Sequence, residues 1–312
     1  MLYDVVVIGG GPAGLTAALY SGRSKLKTKV VEKLTCGGQL LLTELIENFP
    51  GVYQMNSFNW VEMLKKQIAD LKSVEMQEDM VVKKVEDQDG IFKTTVVARI
   101  DGSEQVIESH SVIVATGAQP ARLGIKGEDA FIGRGVSFCA TCDGPLFKDR
   151  EVVLVGGGDT AIEEALYLSK FAKSITIVHR RDSLRAAAVL QDKVKKNHKI
   201  AFRWNALPLE ILGTTRVEGI RLKDVKTNEE SVLFCEGVFV FIGFTPDTEP
   251  FKGFLDLNEG GFIVTDENLM SSCTGIFSCG DCRVRPFKQV VTACSEGAIA
   301  AHSAAKFLEN KI

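Results

Sequence analysis

Two segments of the chain share one rhythm of apolar and polar positions. YDVVVIGGGPAGLTAALYSGR, from Tyr3, runs from a β-branched stretch through a glycine turn into small and apolar residues at helical spacing, and TKVVEK follows as a second strand. REVVLVGGGDTAIEEALYLSK, from Arg150, repeats that order and is followed by SITIVHRR. Each predicts a strand–turn–helix–strand unit, so the expected fold class is α/β with two Rossmann-like, three-layer nucleotide-binding domains. VIVATGAQP (112–120) and VFVFIGFTPD (238–247) are apolar strands that reach Gly and then Pro within a few residues, as paired exit points between domains would. Residues 91–114 alternate apolar and polar and predict antiparallel strands, a pattern that returns more weakly over 202–240. The last segment, GIFSCGD and then KQVVTACSEGAIAAHSAAKFL, predicts a strand, a loop and a long Ala-rich helix with no partner strand nearby. It is expected to return to the first domain, which then comprises 1–117 and 247–312 around an inserted domain of 118–246.

Composition agrees with two ordinary globular domains. A chain of 312 residues is about twice the size at which one hydrophobic core is comfortable. Its residues are 45% hydrophobic and 25% charged, with a mean hydropathy of +0.08. Net charge is −3, and the Lys-containing stretch 192–199 is too short and mixed for a nucleic-acid footprint. The first apolar run begins at Val5 and turns into glycines, which argues against a cleavable signal peptide. The longest clear apolar run, 238–244, is strand-sized, so no membrane span is expected and the protein is expected to be cytoplasmic. In a reducing compartment eight cysteines do not form a structural framework, and a close pair points to catalysis or metal binding.

Gly9, Gly11 and Gly14 fit G-x-G-x-x-G between strand and helix, where glycines let backbone N–H groups approach a pyrophosphate. Glu32 ends the next strand 18 residues after Gly14, the place for a carboxylate that accepts from both ribose hydroxyls, as in FAD or NAD. Gly156, Gly158 and Ala161 form the G-x-G-x-x-A variant. Here the following strand ends in His179, Arg180 and Arg181, with Arg185 further on, so cations stand where an acid would repel a 2′-phosphate; this predicts NADPH rather than NADH. The plainer alternative is a solvated basic helix start.

Cys139 and Cys142 form a C-x-x-C within disulfide reach, followed by Asp143, a carboxylate able to shuttle the proton of a leaving thiolate. A metal would need two more ligands at suitable spacing, and no metal is expected. Cys279 and Cys282 have the same spacing, but their loop lies between a strand and the last helix, where both are expected to be small apolar residues. Cys36, Cys235, Cys273 and Cys294 are isolated and expected to be buried hydrophobes. His110, His198 and His302 are expected on surfaces or satisfied core edges, and no nucleophile–base triad is visible.

GGGPAG, CGGQL, ENFPG, ATGAQP, GRGVSFCATCDG, GGGDTAIEEA, HRRDSLRA, GIFSCGD and QVVTACSEGAIAA occur in one order, over residues 4–308. In this the chain resembles the low-molecular-weight thioredoxin reductases of the class-II pyridine nucleotide-disulfide oxidoreductases. The specific element is CATCD just before the second glycine loop, since glutathione-reductase-like relatives carry their redox pair in the FAD half. The resemblance implies a homodimer, a discontinuous FAD domain and an inserted NADPH domain bearing the disulfide. It implies that Pro12, Ala13, Gly37, Gly38, Gln39, Asn48, Val82, Gly117, Gly280, Asp281, Lys288, Gln289 and Val290 join the first loop and Glu32 around FAD. Asp159 and Thr160 join the second loop around NADPH. Electrons would pass from NADPH through FAD to Cys139–Cys142, with Cys142 facing the flavin and Cys139 attacking the disulfide of thioredoxin or a thioredoxin-like protein, and the NADPH domain would rotate between these steps.

Two positions depart from the family. Lys288 keeps a charge where Arg is usual but loses its planar fork, and Pro145-Leu146 stand where many relatives have aromatic residues that help dock thioredoxin. Arg134, also implicated in docking, is retained. Two alternatives lie on the same fold. A ferredoxin- or flavin-coupled electron-transfer oxidoreductase would not need CATCD, and a dithiol oxidase would not need the His179–Arg181 cluster. A peroxiredoxin-reducing flavoprotein would carry an additional N-terminal redox domain, for which the residues before the first strand leave no room.

Overall fold

Strand β1 (Leu2–Ile8), helix α1 (Pro12–Arg23) and strand β2 (Thr28–Val31) follow one another, with the two strands parallel from Val5 opposite Thr28 to Ile8 opposite Val31. The computed structural model describes residues 1–42 and 45–310. Because side chains alternate across a strand, Val5 and Val7 enter the apolar layer under α1, whereas Val6 and Ile8 enter a second cluster on the other face. Helix α2 (Ser57–Ala69) starts where the Asn56 side chain accepts the Asn59 N–H, and its Val61, Leu64 and Ile68 point at the α1 layer. Strand β3 (Val74–Gln77) continues the parallel pairing beside β2.

Strands β4 (Met80–Gln88), β5 (Ile91–Ala98) and β6 (Glu104–Val114) form an antiparallel meander. Strand β6 is 11 residues long, enough to pair with β5 near its start and lie parallel to β1 from Glu108 to Val114. That length joins the alternating segment to the glycine-loop sheet, whose order is β3-β2-β1-β6-β5-β4.

The chain then enters a second compact unit, Pro120–Phe244; the first comprises Met1–Gln119 and Thr245–Ile312. The two crossings, Ala118–Pro120 and Phe244–Pro246, pair with each other as short strands. The second unit contains strand β7 (Val136–Ser137), the single-turn helix α3 (Ala140–Asp143), strand β8 (Glu151–Gly156), helix α4 (Asp159–Leu168), strand β9 (Ser174–Val178), helix α5 (Ala188–Lys195) and strand β10 (Ile200–Arg203). Strands β11 (Ala206–Gly213), β12 (Val217–Asp224) and β13 (Glu230–Phe234) follow as an antiparallel sheet, and β14 (Gly237–Phe241) returns to the parallel one. The parallel order is β7-β14-β8-β9-β10. Val152 and Leu154 face the α4 layer, while Val153 and Val155 face Val217, Ile220 and Leu222 of the small sheet.

The expected antiparallel span of 202–240 is therefore too wide. Its first and last residues, in β10 and β14, belong to the parallel sheet, because runs such as GVFVF are buried on both faces and lack true alternation.

Strand β15 (Ile276–Ser278) supplies the partner that sequence proximity could not, lying parallel to the end of β6 from Val112 to Val114. Helix α6 (Val290–Glu309) then packs Ala293, Ala300, Ala301, Ala304 and Leu308 into the α1 layer. The two helices approach so closely at Gly297 that a Cβ there would lie 2.2 Å from the Ala13 carbonyl oxygen. Backbone cannot step aside as a side chain can. Gly297→Ala is expected to cost about 1–3 kcal/mol through overpacking, read as a lowered Tm with unchanged circular dichroism at low temperature.

Candidate active site

The turn from β1 to α1 is built by contacts a side chain would block. Gly9 has φ +107°, and a Cβ on Gly14 would lie 1.8 Å from the Gly9 carbonyl oxygen, so helix and strand meet backbone to backbone. Gly11 is the N-cap of α1 and no side chain caps it; a Cβ on Gly11 would meet only the Gly38 Cα, at 4.0 Å. The uncapped first turn and the free space before it suit a pyrophosphate, whose oxygens would accept the helix N–H groups.

Glu32 follows β2, and its carboxylate accepts the Gly10 N–H at 2.6 Å and the Leu34 N–H at 2.9 Å. These bonds hold it beside the glycine turn with lone pairs left for a ribose. Gly37 donates to the Gly10 carbonyl at 2.7 Å and brings Gly38 in with it. Gln39 Nε2 donates to the Ala118 carbonyl, next to Gly117, at 3.4 Å, and Val82 is buried in β4 two residues beyond Met80, whose N–H bonds the Glu32 carbonyl. Asn48 Nδ2 donates to Gln289 Oε1 at 2.9 Å, joining two expected residues 241 positions apart.

Gly280, Asp281, Lys288 and Val290 come together at the start of α6, in company that sequence reasoning missed. Glu296 accepts the Gly280 N–H at 2.8 Å and pairs with Arg283 at 2.8 Å and Arg285 at 3.5 Å. The Arg285 side chain is 3% exposed and lies 3.4 Å from Asp281, and its Nε has no partner among the described residues. Lys288 donates to the Asp281 carbonyl at 3.2 Å and sits over the Phe262 ring at 4.3 Å. Burial pushes Asp281 up and Lys288 down from their ordinary ranges, with Arg285 and Lys288 drawing Asp281 back. The visible signal was the alternation of cations in GDCRVRPFK directly after Gly280-Asp281.

In the second unit Gly158 is the N-cap of α4, again without a side-chain cap, and a Cβ there would have no atom within 4 Å. Gly156 allows the turn to pass the Phe241 carbonyl, which a Cβ would approach to 2.5 Å. The arginine-bearing segment is tied to this loop twice. Arg185 donates its N–H to the Gly157 carbonyl at 2.8 Å, and Ala187 donates to Asp159 Oδ1 at 2.7 Å. Arg180, Arg181 and Arg185 are exposed, as is Thr160.

His179 stands apart from them. It is buried, and a Cβ on Gly157 would lie 2.3 Å from its ring. Burial, and then the neighbouring Arg185, holds its pKa below the usual imidazole range, so it packs the glycine loop as a neutral ring.

Cys139 and Cys142 are joined as a disulfide with their Cα atoms 5.3 Å apart. Cys139 caps α3, its Sγ accepting the Cys142 N–H at 3.1 Å and its carbonyl accepting the Asp143 N–H at 3.1 Å. Ser137, which sequence reasoning passed over, knits the group together. Its hydroxyl donates to Asp143 Oδ2 at 2.6 Å and accepts the Cys139 N–H at 3.1 Å. Burial pushes the Asp143 carboxyl up, and the Ser137 hydroxyl pulls it partly back. Beside the pair in sequence, Phe138 has Arg122 over its ring at 4.4 Å and Pro145 and Leu146 are exposed; Arg134 is exposed as well.

Cys279 and Cys282 are fully buried free thiols, pushed up in pKa by burial; Cys282 Sγ is 3.4 Å from Ser278 Oγ. They pack as small apolar residues. Cys36 and Cys235 are buried as expected, but Cys273 and Cys294 are only half-buried, a correction that follows from their places in a surface loop and at the rim of α6. His198 and His302 are exposed and His110 is half-buried. Among the described residues no group of three His, Cys, Asp or Glu is placed to hold a metal, and no helix is long and apolar enough to cross a membrane.

Residues 3–297 match the family model described as pyridine nucleotide-disulphide oxidoreductase. The chain is 44% identical over 315 aligned positions to a thioredoxin reductase of Peptoclostridium acidaminophilum, covering 99% of this chain and 98% of that one. It is similar to the crystal structure of thioredoxin reductase from Streptococcus pyogenes at a TM-score of 0.90 and 38% identity, with 99% of each chain covered. The thioredoxin reductase from Giardia duodenalis matches at a TM-score of 0.89 and 33% identity, again over 99% of each chain.

Proposed function

The chain belongs to the pyridine nucleotide-disulphide oxidoreductase family and, within it, to the thioredoxin reductases, and from that premise we propose that it passes electrons from NADPH through FAD to Cys139–Cys142 and on to thioredoxin or a thioredoxin-like protein. The observation that carries this is the Cys139–Cys142 disulfide, with Asp143 beside it, in the same unit as an uncapped glycine loop flanked by exposed arginines. FAD belongs to the first unit, with its pyrophosphate at the α1 N-terminus and a ribose on Glu32. NADPH belongs to the second, with its pyrophosphate at the α4 N-terminus and its 2′-phosphate on Arg180 and Arg181. When bound, FAD supplies the hydride acceptor for NADPH and the electron pair for the disulfide.

The chain's own residues do the exchange chemistry. Once the pair is reduced, the Cys139 thiolate attacks a disulfide of the partner, one partner sulfur bonds to Cys139, and the other leaves as a thiolate. Asp143, whose carboxyl burial pushes upward and the Ser137 hydroxyl pulls partly back, gives the proton to that leaving sulfur. Cys142 then attacks Cys139, the bond to the partner breaks, and the enzyme disulfide re-forms as the second partner sulfur is released. The proton bound there comes from the Cys142 thiol, returned through Asp143. The working form is a homodimer in the cytoplasm, where the six free cysteines stay reduced.

Anaerobic titration of the purified yellow protein with NADPH tests this. Two electron pairs are expected per chain, one in the flavin and one in the cysteines, and oxidised thioredoxin added afterwards takes up both. Uptake of a single pair that passes to oxygen or ferredoxin would leave the disulfide idle and favour an electron-transfer flavoprotein.

A further inference from the structure

One half-buried carboxyl beside the redox pair has no part in the exchange described above. Glu164 stands on α4, whose Ala161, Ile162, Ala165 and Leu168 share an apolar cluster with Ala140 of α3. Its Oε2 is enclosed and has no hydrogen-bond partner among the described residues, while the backbone N–H of Ala140 donates to the carboxyl. That N–H belongs to the peptide joining Cys139 to Ala140, so a single peptide group separates the carboxyl from the residue that attacks the partner disulfide. A buried carboxylate oxygen without a donor is costly, and protonation relieves most of that cost. Burial and then Glu163 act in that direction, the Ala140 N–H against it.

Other charges around Glu164 are few. Helix α3 brings Cys142 and Asp143; α5 carries Asp192, Lys193 and Lys195, all exposed; β8 carries Glu151, paired with Lys173 at 2.8 Å; β9 and residues 144–147 carry none. Of these groups the cysteine pair and Asp143 change charge during turnover, and Cys139 is the one joined directly to the Ala140 N–H that bonds Glu164.

We propose that Glu164 is a positioning residue that shares one proton with the reduced Cys139–Cys142 pair and so sets the pH at which the attacking thiolate forms. The inference rests on the reductase function proposed above. When an electron pair enters from NADPH by way of the flavin, the S–S bond breaks and each sulfur gains one electron. One proton goes to one sulfur. A second goes either to the other sulfur or to Glu164, because a thiolate on Cys139 and a carboxylate bonded to the next residue's N–H repel each other and titrate as a coupled pair. With the proton on Glu164, the other sulfur is left as the thiolate.

The test is the rate of iodoacetamide alkylation at Cys139, read by mass on its peptide, from about pH 5 to about pH 9 in the holoenzyme reduced with dithiothreitol and then freed of it. Wild type is expected to show two steps. Glu164→Gln should collapse them into one step about one unit lower, making alkylation near pH 6.5 about tenfold faster, with flavin content and far-ultraviolet spectrum unchanged. Glu164→Asp, which keeps a carboxyl, should retain two steps. A Gln profile superposing on wild type overturns the proposal, and a single-step wild-type profile does so without any variant. Repeating the reduction with NADPH separates the two ideas: thiols that appear with dithiothreitol but not with NADPH refute the reductase function and leave the coupling result standing.

Discussion

Cys142→Ser is expected to remain yellow and to be bleached by NADPH, yet to turn over disulfide substrates at least about 10³-fold more slowly than wild type. A serine oxygen cannot close a bond to Cys139 that stores an electron pair, so the reduced cofactor has no sulfur bridge to pass its electrons to. Local structure should survive, because the amide of residue 142 still donates to Cys139 Sγ and Ser137 still holds Asp143. The variant also separates attack from resolution. Cys139, now a permanent thiol, can still attack a partner disulfide, but nothing displaces the partner, and a covalent adduct that disappears on reduction should accumulate on non-reducing gels. Stopped-flow absorbance at the flavin band and steady-state thioredoxin reduction give the two rates. Retained turnover would mean that electrons bypass Cys139–Cys142, which would sink the proposed route.

Replacing Arg180 and Arg181 together by Ala should raise the KM for NADPH by about 30- to 1000-fold and leave that for NADH nearly unchanged. Each guanidinium can make charge-assisted bonds to a 2′-phosphate worth about 1.5–3 kcal/mol, and exposure and salt screening reduce the pair to about 2–4 kcal/mol. Both side chains are solvent-facing, so the fold should be indifferent to their loss. The preference should also shrink in wild type as salt rises. His179 is not expected to join in this discrimination. Its ring is spent on packing Gly157, and His179→Ala should weaken both nucleotides together by loosening the loop. Equal loss of NADPH and NADH in the arginine variant would refute the phosphate assignment.

Some of the site was legible because its parts are neighbours in the chain. The glycine loops each need only a strand, a turn and a helix in succession, and Cys139, Cys142 and Asp143 lie within a single turn. Ser137 was within sight, two residues before Cys139, but a serine there signals nothing until folding aims its hydroxyl at Asp143. Glu164 resembles any polar position on an amphipathic helix; only the packing of α3 on α4 encloses its carboxyl. Arg285 reads as a surface cation, and it is the return of α6 with Glu296 that makes it a buried one.

The amino-acid sequence by itself determined the local units: two glycine turns between strand and helix, the acid after one and the arginines after the other, and the redox pair with its neighbouring acid. Hydrophobic period and glycine placement act over a few residues, and these features need no more than that. Tertiary structure alone decided which distant segments complete them. The register that set β15 beside β6, the Asn48–Gln289 bond across 241 positions, and the burial that turned His179 inward and left Glu164 Oε2 without a donor among the described residues all depend on chain closure. Closing a loop of that length is favourable only when many apolar contacts form together, and no single residue along the chain announces that sum.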